Sequence, residues 1–335
     1  MSVERDRAAI AIGRNEGRRL ERCIESLRGT FDIVIYVDSG STDGSVDFVC
    51  GLGLHVVELD TGIPFSAGRA RNAGFERLQQ INPEIRYVQF IDGDCEMDAG
   101  WPEVAEGTLS ADSGLAIVCG RRRERWPEAT IYNRLCDLEW DSPVGDVRSC
   151  GGDFMVRSAA FNQIDGFDPS FVGGEEPELC IRLRQLGWRI ERLATEMTLH
   201  DVAMVRFGQW WLRAQRAGHA YVHNAWKHRG LGDRQLLRPV VSILFWAALI
   251  PFLVIAGISA IGPQGLMLLG IYPLLVSRVL RVQRTRGWSF RDALAYALSV
   301  VVAKFAQLNG MLRFLRNKIL NRPPTLIEYK SPESS

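Results

Sequence analysis

The 335-residue sequence predicts an α/β domain built on a doubly wound, mostly parallel sheet, followed by a C-terminal membrane-helix region. Three observations predict it. Short apolar runs alternate with helical patterns through the first 200 residues. Those runs lack polar alternation, as expected of strands covered on both faces. No charged residue occurs between Arg238 and Arg278, a 39-residue gap that a soluble domain rarely tolerates.

The elements follow in order. Residues 8–13 (AAIAIG) read as a strand and 17–28 as a helix; FDIVIYVD (31–38) is a second strand, and DGSVDFVCGLG a short helix ending in glycine. LHVVELD (54–60) is a third strand, 66–81 a helix, and YVQFID (87–92) a fourth strand. Sheets of this kind bind ligands at the carboxyl ends of their strands. The loops there are GRNEG, DSGSTDGS and DGDCEMD, all polar, glycine-containing and acidic or amide-bearing.

The stretch FIDGDCEMD leaves an apolar strand and runs into Asp92, Asp94, Glu96 and Asp98. Either the loop has reached solvent or something positive sits there. Asp92 and Asp94 are two residues apart with a glycine between them to let the backbone bend. Such an oxygen-rich pair suits Mg2+ or Mn2+ bridging to a diphosphate, although a lone D-x-D is a weak signal. GRARNAG (68–74) puts two arginines and an asparagine in the first turns of a helix, suited to phosphate or simply a solvated basic face. In FVGGEEPELC two glycines lead into Glu175 and Glu176, with Pro177 in the first turn of a helix. These carboxylates are ordinary at a helix N-terminus, but one held opposite a cation would serve as a general base for an acceptor hydroxyl.

Six segments together, IAIGRNEGRRLERCIESL, IVIYVDSGSTDGS, ARNAGFE, QFIDGDCEMD, GGDFMVRSAAFNQIDGFDPSF and GGEEPELCIRLRQLGW, resemble the inverting glycosyltransferases of family 2, in that family's order and over roughly residues 7–200. The resemblance implies a GT-A fold and a nucleotide-sugar donor. It implies that Asn15 and Glu16 border the nucleotide, that Asp38 contacts the base, and that Arg71 and Asn72 lie near the diphosphate. Ser39 stands where many members carry a second aspartate. Asp92 and Asp94 match the metal-binding D-x-D, with Asp94 the direct ligand. Gly151, Gly152 and Asp153 match a segment bordering acceptor and donor sugar. Glu176 falls at the catalytic base, usually an aspartate, and His200 at a histidine that completes the metal shell in some relatives. The Q-x-x-R-W motif of processive relatives is missing, which points to one sugar per acceptor. A nucleotidyltransferase and an inactive membrane scaffold of the same fold are the alternatives.

The bulk numbers bound the partners. With 40 basic and 39 acidic residues, no global field points to nucleic acid. Seven cysteines without paired metal spacing suit a reducing cytosol and small core positions. The sequence divides into 1–203 (catalytic), 204–238 (interfacial or linker helices), 239–282 and 283–335. A straight helix across the uncharged gap would reach roughly 58 Å, about twice a bilayer core. IGPQG (261–265) therefore marks the turn of a hairpin, 239–260 and 265–282; a buried helical pair is the alternative. Arginines flank both ends, which by the positive-inside rule places the large N-terminal part in the cytoplasm, at a cell inner membrane. Residues 293–312, carrying Lys304, Gln307 and Asn309, read as a helix lying in the interface ahead of a basic tail. Trp210, Trp211 and Trp226 suggest another. These features imply membrane lipids as partners and an acceptor on a polyprenyl-diphosphate or other glycan carrier. No secretory signal is read in MSVERDRAAI.

Overall fold

The structure, a computed structural model, describes residues 6–322 and residue 327. The opening MSVER and most of the chain after Arg322, part of the 283–335 region, lie outside the described residues. The chain divides into two compact units, the first ending at Val205 and the second beginning at Arg206.

Nine strands make the sheet of the first unit: β1 (Arg7–Gly13), β2 (Ile33–Asp38), β3 (His55–Glu58), β4 (Tyr87–Asp92), β5 (Cys95–Met97), β6 (Leu115–Glu124), β7 (Gly145–Asp146), β8 (Phe154–Arg157) and β9 (Arg189–His200). Their order is β3-β2-β1-β4-β8-β6-β9-β5, with β7 also on β9. β1 to β4 are parallel neighbours, β6 and β9 are parallel, and β8 runs antiparallel between β4 and β6. The sheet is mixed and mostly parallel, as the apolar runs predict. Ala8–Ala11 of β1 have no exposed surface at all, because helices cover both faces.

Six helices and a short turn of helix surround it: α1 (Arg18–Leu27), α2 (Ser45–Gly51), α3 (Ala67–Ile81), α4 (Trp101–Ala111), α5 (Ile131–Trp140), α6 (Ser158–Gln163) and α7 (Glu175–Gln185). Ser66 caps α3 by accepting from Arg69 N at 3.2 Å, and Thr130 caps α5 by accepting from Asn133 N at 3.1 Å. Register is what assembles the site. Gly13 lies opposite Asp38, Ile12 opposite Asp92, and Asp38 opposite Glu58, so three strands end on one edge and deliver their loops together. Six of the seven cysteines are buried, Cys50 being exposed.

The second unit is helical: α8 (Phe207–Lys227), α9 (Arg234–Leu244), α10 (Ile250–Ile261), α11 (Ile271–Thr285) and α12 (Phe290–Ile319). A five-residue π-helical stretch, Phe245–Leu249, joins α9 to α10. The chain turns at Gly262 and returns as a nine-residue 3-10 helix, Gly262–Gly270, before α11. The Tyr272 hydroxyl donates to the Trp246 carbonyl at 2.6 Å, so the two legs lie side by side. The return leg of the hairpin thus starts in the tighter 3-10 form, where the sequence suggests α-helix from residue 265. Residues 234–285 and 290–319 form helices long and apolar enough to cross a membrane. α8 and α12 cross at backbone contact: a Cβ on Gly310 would stand 1.9 Å from the Gln215 carbonyl oxygen, and one on Gly218 2.0 Å from that of Gln307. Of the three tryptophans expected at a lipid surface, Trp226 is exposed, but Trp210 is buried, with its ring 5.7 Å from that of Phe207.

Candidate active site

Each of the four carboxylates in FIDGDCEMD has its own partner. Asp92, at the end of β4, accepts from Arg71 Nη2 at 2.7 Å. Asp94 lies with Oδ2 3.1 Å from His200 Nε2. Glu96 pairs with Arg125. Asp98 accepts from Gly100 N at 2.9 Å, shaping the turn into α4. The stretch that reads as a loop contains a strand: β5 pairs antiparallel with β9, setting Cys95 opposite His200. That pairing brings Asp94 to a histidine 106 positions away in the chain.

The Asp92 side is a closed network. Arg71 is 2 % exposed, yet it also donates to the Gly152 carbonyl at 3.1 Å and to Glu175 at 3.3 Å, with its guanidinium carbon 5.5 Å from the Phe167 ring centroid. Arg122 pairs with Asp153 at 2.8 Å and Asp92 at 3.8 Å and lies 5.5 Å from the Trp140 ring centroid. Asp153 is fully buried and accepts from Asp92 N at 3.0 Å and Thr198 Oγ1 at 2.8 Å. Burial disfavours the Arg71 cation, but Asp92, Glu175 and Glu176 outweigh it and hold its pKa above the ordinary guanidinium value. Burial acts against Arg122 likewise, and Asp153 chiefly reverses it. A Cβ on Gly152 would stand 2.8 Å from Asp92 Oδ2 and 3.2 Å from both arginines, so only glycine fits between them.

The second acidic pair splits at the start of α7. Gly174 adopts φ +79° and turns the chain into the helix. Glu175 is buried against Arg71, while the neighbouring Glu176 is half-buried. Both carboxylates sit in the first turn, where the helix dipole favours negative charge.

Several residues expected to touch the donor have partners inside the protein. Asp38 is 2 % exposed; it accepts from Tyr36 Oη at 3.0 Å and from Gly40 N and Ser41 N at 2.8 Å each, so it builds its loop. Asn72 clamps Phe167, donating to its carbonyl at 2.8 Å and accepting from its N–H at 2.9 Å. Asp153 is likewise turned inward. Asn15, at φ +55°, accepts from Thr42 N at 2.8 Å and ties the first loop to the second, while Glu16 pairs with Arg19 at 3.0 Å. Beside these loops a cavity of about 170 Å³ is lined by Arg14, Ser39, Asp60, Phe65 and Arg69 among others.

A divalent cation fits at Asp94 and His200. Their oxygen and imidazole atoms converge at 3.1 Å and are buried, a donor set suited to Mg2+ or Mn2+. Cys95 belongs to the same cluster. Burial, and then the Asp153 carboxylate, push its thiol well above the ordinary range, and a thiol is a softer donor than Mg2+ or Mn2+ prefers. Asp92, tied to Arg71, is less suited as a ligand than the D-x-D pattern implies.

Residues 10–157 match the family model described as glycosyl transferase family 2, and residues 138–206 the model described as the N-terminal domain of galactosyltransferase. The chain carries a family-2 glycosyltransferase domain. It is 26 % identical over 318 residues to a pre-mycofactocin glycosyltransferase of Mycobacterium tuberculosis, covering 91 % of this chain and 63 % of that relative's length. It is 26 % identical over 233 residues to the N-acetylglucosaminyl-diphospho-decaprenol L-rhamnosyltransferase of that organism (58 % and 75 % of the two chains). With the succinoglycan biosynthesis protein ExoA of Rhizobium meliloti it shares 27 % over 270 residues (75 % and 79 %). Among solved structures, a mannosyltransferase from Pyrobaculum calidifontis, in complex with GDP-Man and Mn2+, superposes with TM-score 0.61 at 16 % identity, over 94 % of this chain and 89 % of that one. That likeness establishes the fold of this glycosyltransferase as GT-A.

Sequence reasoning passed over Arg122, Glu124 and Trp140. The first two lie in GRRRERW, residues 120–126. The signal that marks them is strand alternation: Arg122 and Glu124 are two apart, so they share one face of β6, and that face is the site.

Proposed function

We propose that this enzyme transfers one sugar from a nucleotide-sugar to an acceptor hydroxyl with inversion, beside a membrane. The observation that carries the reading is the buried Asp94–His200 pair at the sheet edge where three strand-end loops converge. A divalent cation bound there supplies Lewis-acid stabilisation of the nucleoside-diphosphate leaving group. The residues of the chain do the rest. Glu176, half-buried at the start of α7, takes the proton of the acceptor hydroxyl. The acceptor oxygen bonds to the anomeric carbon from the face opposite the diphosphate; the carbon–oxygen bond to phosphate breaks, and its electron pair leaves with the nucleoside diphosphate. Arg71, already neutralised by Asp92 and Glu175, holds those carboxylates in register for this geometry.

The acceptor proposed is a lipid-linked glycan, carried by a polyprenyl diphosphate. Support comes from the relative named for a diphospho-decaprenol acceptor, and from the relative named for succinoglycan biosynthesis. The uncharged hairpin points the same way, since tethering the catalytic unit beside the bilayer raises the local concentration of such an acceptor. Basic residues at both ends of the hairpin favour a cytoplasmic catalytic unit at an inner membrane.

The test is nucleoside-diphosphate release by detergent-purified protein with Mn2+, membrane lipid extract and a panel of nucleotide sugars. Release dependent on one donor, and lost in Asp94→Ala and Glu176→Gln, is the expected result. Turnover with soluble acceptors alone would refute the lipid assignment, and pyrophosphate release would indicate a nucleotidyltransferase.

A further inference from the structure

His200 stands between two carboxylates. Its Nε2 faces Asp94 at 3.1 Å; its Nδ1 lies 3.8 Å from Glu124 Oε2, an ion-pair distance that is too long for a hydrogen bond. His200 is 4 % exposed, and its Nδ1 has no hydrogen-bond partner among the described residues. A buried ring nitrogen without a partner is costly unless another state of the site satisfies it.

Glu124 is unusual in its own right. It ends β6, directly opposite His200 in the parallel β6–β9 ladder, and is 2 % exposed. Among the described residues, none of its hydrogen-bond partners is a guanidinium. It accepts from Trp126 N at 3.2 Å and Asn133 Nδ2 at 3.1 Å through Oε1, and from Val202 N at 3.1 Å through Oε2. The Val202 amide holds the oxygen that faces the imidazole, and the other two donors hold the far oxygen. The Trp140 ring, 4.9 Å from the imidazole and at 85° to it, fixes the plane of the histidine.

We infer that Glu124 is the positioning residue for the cation site, holding the proton of His200 on Nδ1 so that Nε2 presents its lone pair beside Asp94. An imidazole that gives Nε2 to a cation must carry its proton on Nδ1, and a carboxylate aimed at Nδ1 selects that tautomer and strengthens the ligand. The gap of 3.8 Å closes to an ordinary hydrogen bond when the ring is drawn toward Glu124. This inference rests on the assignment of Asp94 and His200 as cation ligands.

The experiment is Mn2+ titration of the full chain in detergent, followed by the electron-paramagnetic-resonance signal of unbound Mn2+, for wild type, Glu124→Gln, Asn133→Ala and Asp94→Ala. Beside it, the 15N shifts of the histidine rings are recorded with and without Mg2+. Glu124→Gln is expected to weaken Mn2+ binding about 10–100-fold, and Mg2+ to move wild-type His200 to the Nδ1–H form. Asn133→Ala removes a donor from the same hub without approaching the histidine. It should lower Tm and leave Mn2+ affinity within about twofold of wild type. Unchanged affinity in Glu124→Gln, or equal losses in Glu124→Gln and Asn133→Ala, would overturn the inference by making Glu124 a purely structural group. Mn2+ binding that survives Asp94→Ala unchanged would instead remove the cation site itself.

Discussion

Asp92 and Asp94 are two residues apart, yet the first faces two guanidinium groups and the second an imidazole. Around Asp92 the charges are compensated: Arg71 and Arg122 meet Asp92, Asp153 and Glu175. Around Asp94 the acids converge on a group that carries charge only when protonated. The difference separates two jobs. Fixed cations turn the first cluster into a scaffold whose charges are already matched within the protein, while the second keeps room in its electrostatics for the cation proposed to bind there. Burial alone does not distinguish them, since Asp94 is more buried than Asp92.

Substitutions can break that division at either end. The largest effect on turnover is expected from Asp94→Ala. Stabilisation of several kcal/mol at the leaving group, at tenfold per ~1.4 kcal/mol, corresponds to a loss of roughly 10²–10⁴ in kcat. The melting temperature should change little; a variant that unfolds instead would make Asp94 part of the scaffold. Arg71→Met attacks the other side. Removing one partner from a buried ion pair costs about 3–5 kcal/mol, so Tm should drop by roughly 6–20 °C. Thermal unfolding checks it, and an unshifted Tm would mean that Arg71 is held for substrate rather than for the fold.

Asn72→Ala sharpens the contrast for a residue that family resemblance places near the diphosphate. Two hydrogen bonds to Phe167 are lost, at about 1–3 kcal/mol for the groups left unsatisfied, while the donor KM is expected to stay within about twofold of wild type. A large rise in donor KM with unchanged stability would restore Asn72 to the donor site. The smallest effect is expected at Asp43. Partial burial would raise its pKa, but hydrogen bonds from Ser45 and Gly17 hold it below the ordinary carboxylate value. A carboxylate with a lowered folded pKa stabilises fully above its unfolded pKa of ~3.9, and that contribution fades as pH falls through the folded value. The Tm difference between wild type and Asp43→Asn should therefore be small, positive at pH 6, and shrink below pH 4.

Much of this architecture was legible because it is local. Strands β1 to β4 announce themselves as apolar runs ending in polar glycine-bearing loops, and register then brings those loops together without further instruction. What stayed hidden depends on partners far apart in the chain. Arg71 meets Glu175 across 104 positions, and no local pattern says whether an arginine in a helix will face phosphate or a carboxylate. Asp38, Asn72 and Asp153 have the residue types of a donor site, but their side chains turn inward, which only the packed sheet decides. β5 is three residues long and takes its strand form from β9, so a loop was the natural reading of its sequence.

The segment that follows His200 is pinned with unusual care for a connection. Val202 N is held by Glu124, Met204 N by Asn133 at 3.2 Å, and the Met204 carbonyl by Thr130 at 2.7 Å, all before the chain passes into α8 at Phe207. In mechanical language this is a strain relief, like the clamp that keeps a tug on a cable from reaching its solder joint. The imidazole two residues upstream is thus joined to backbone that Glu124, Asn133 and Thr130 already clamp.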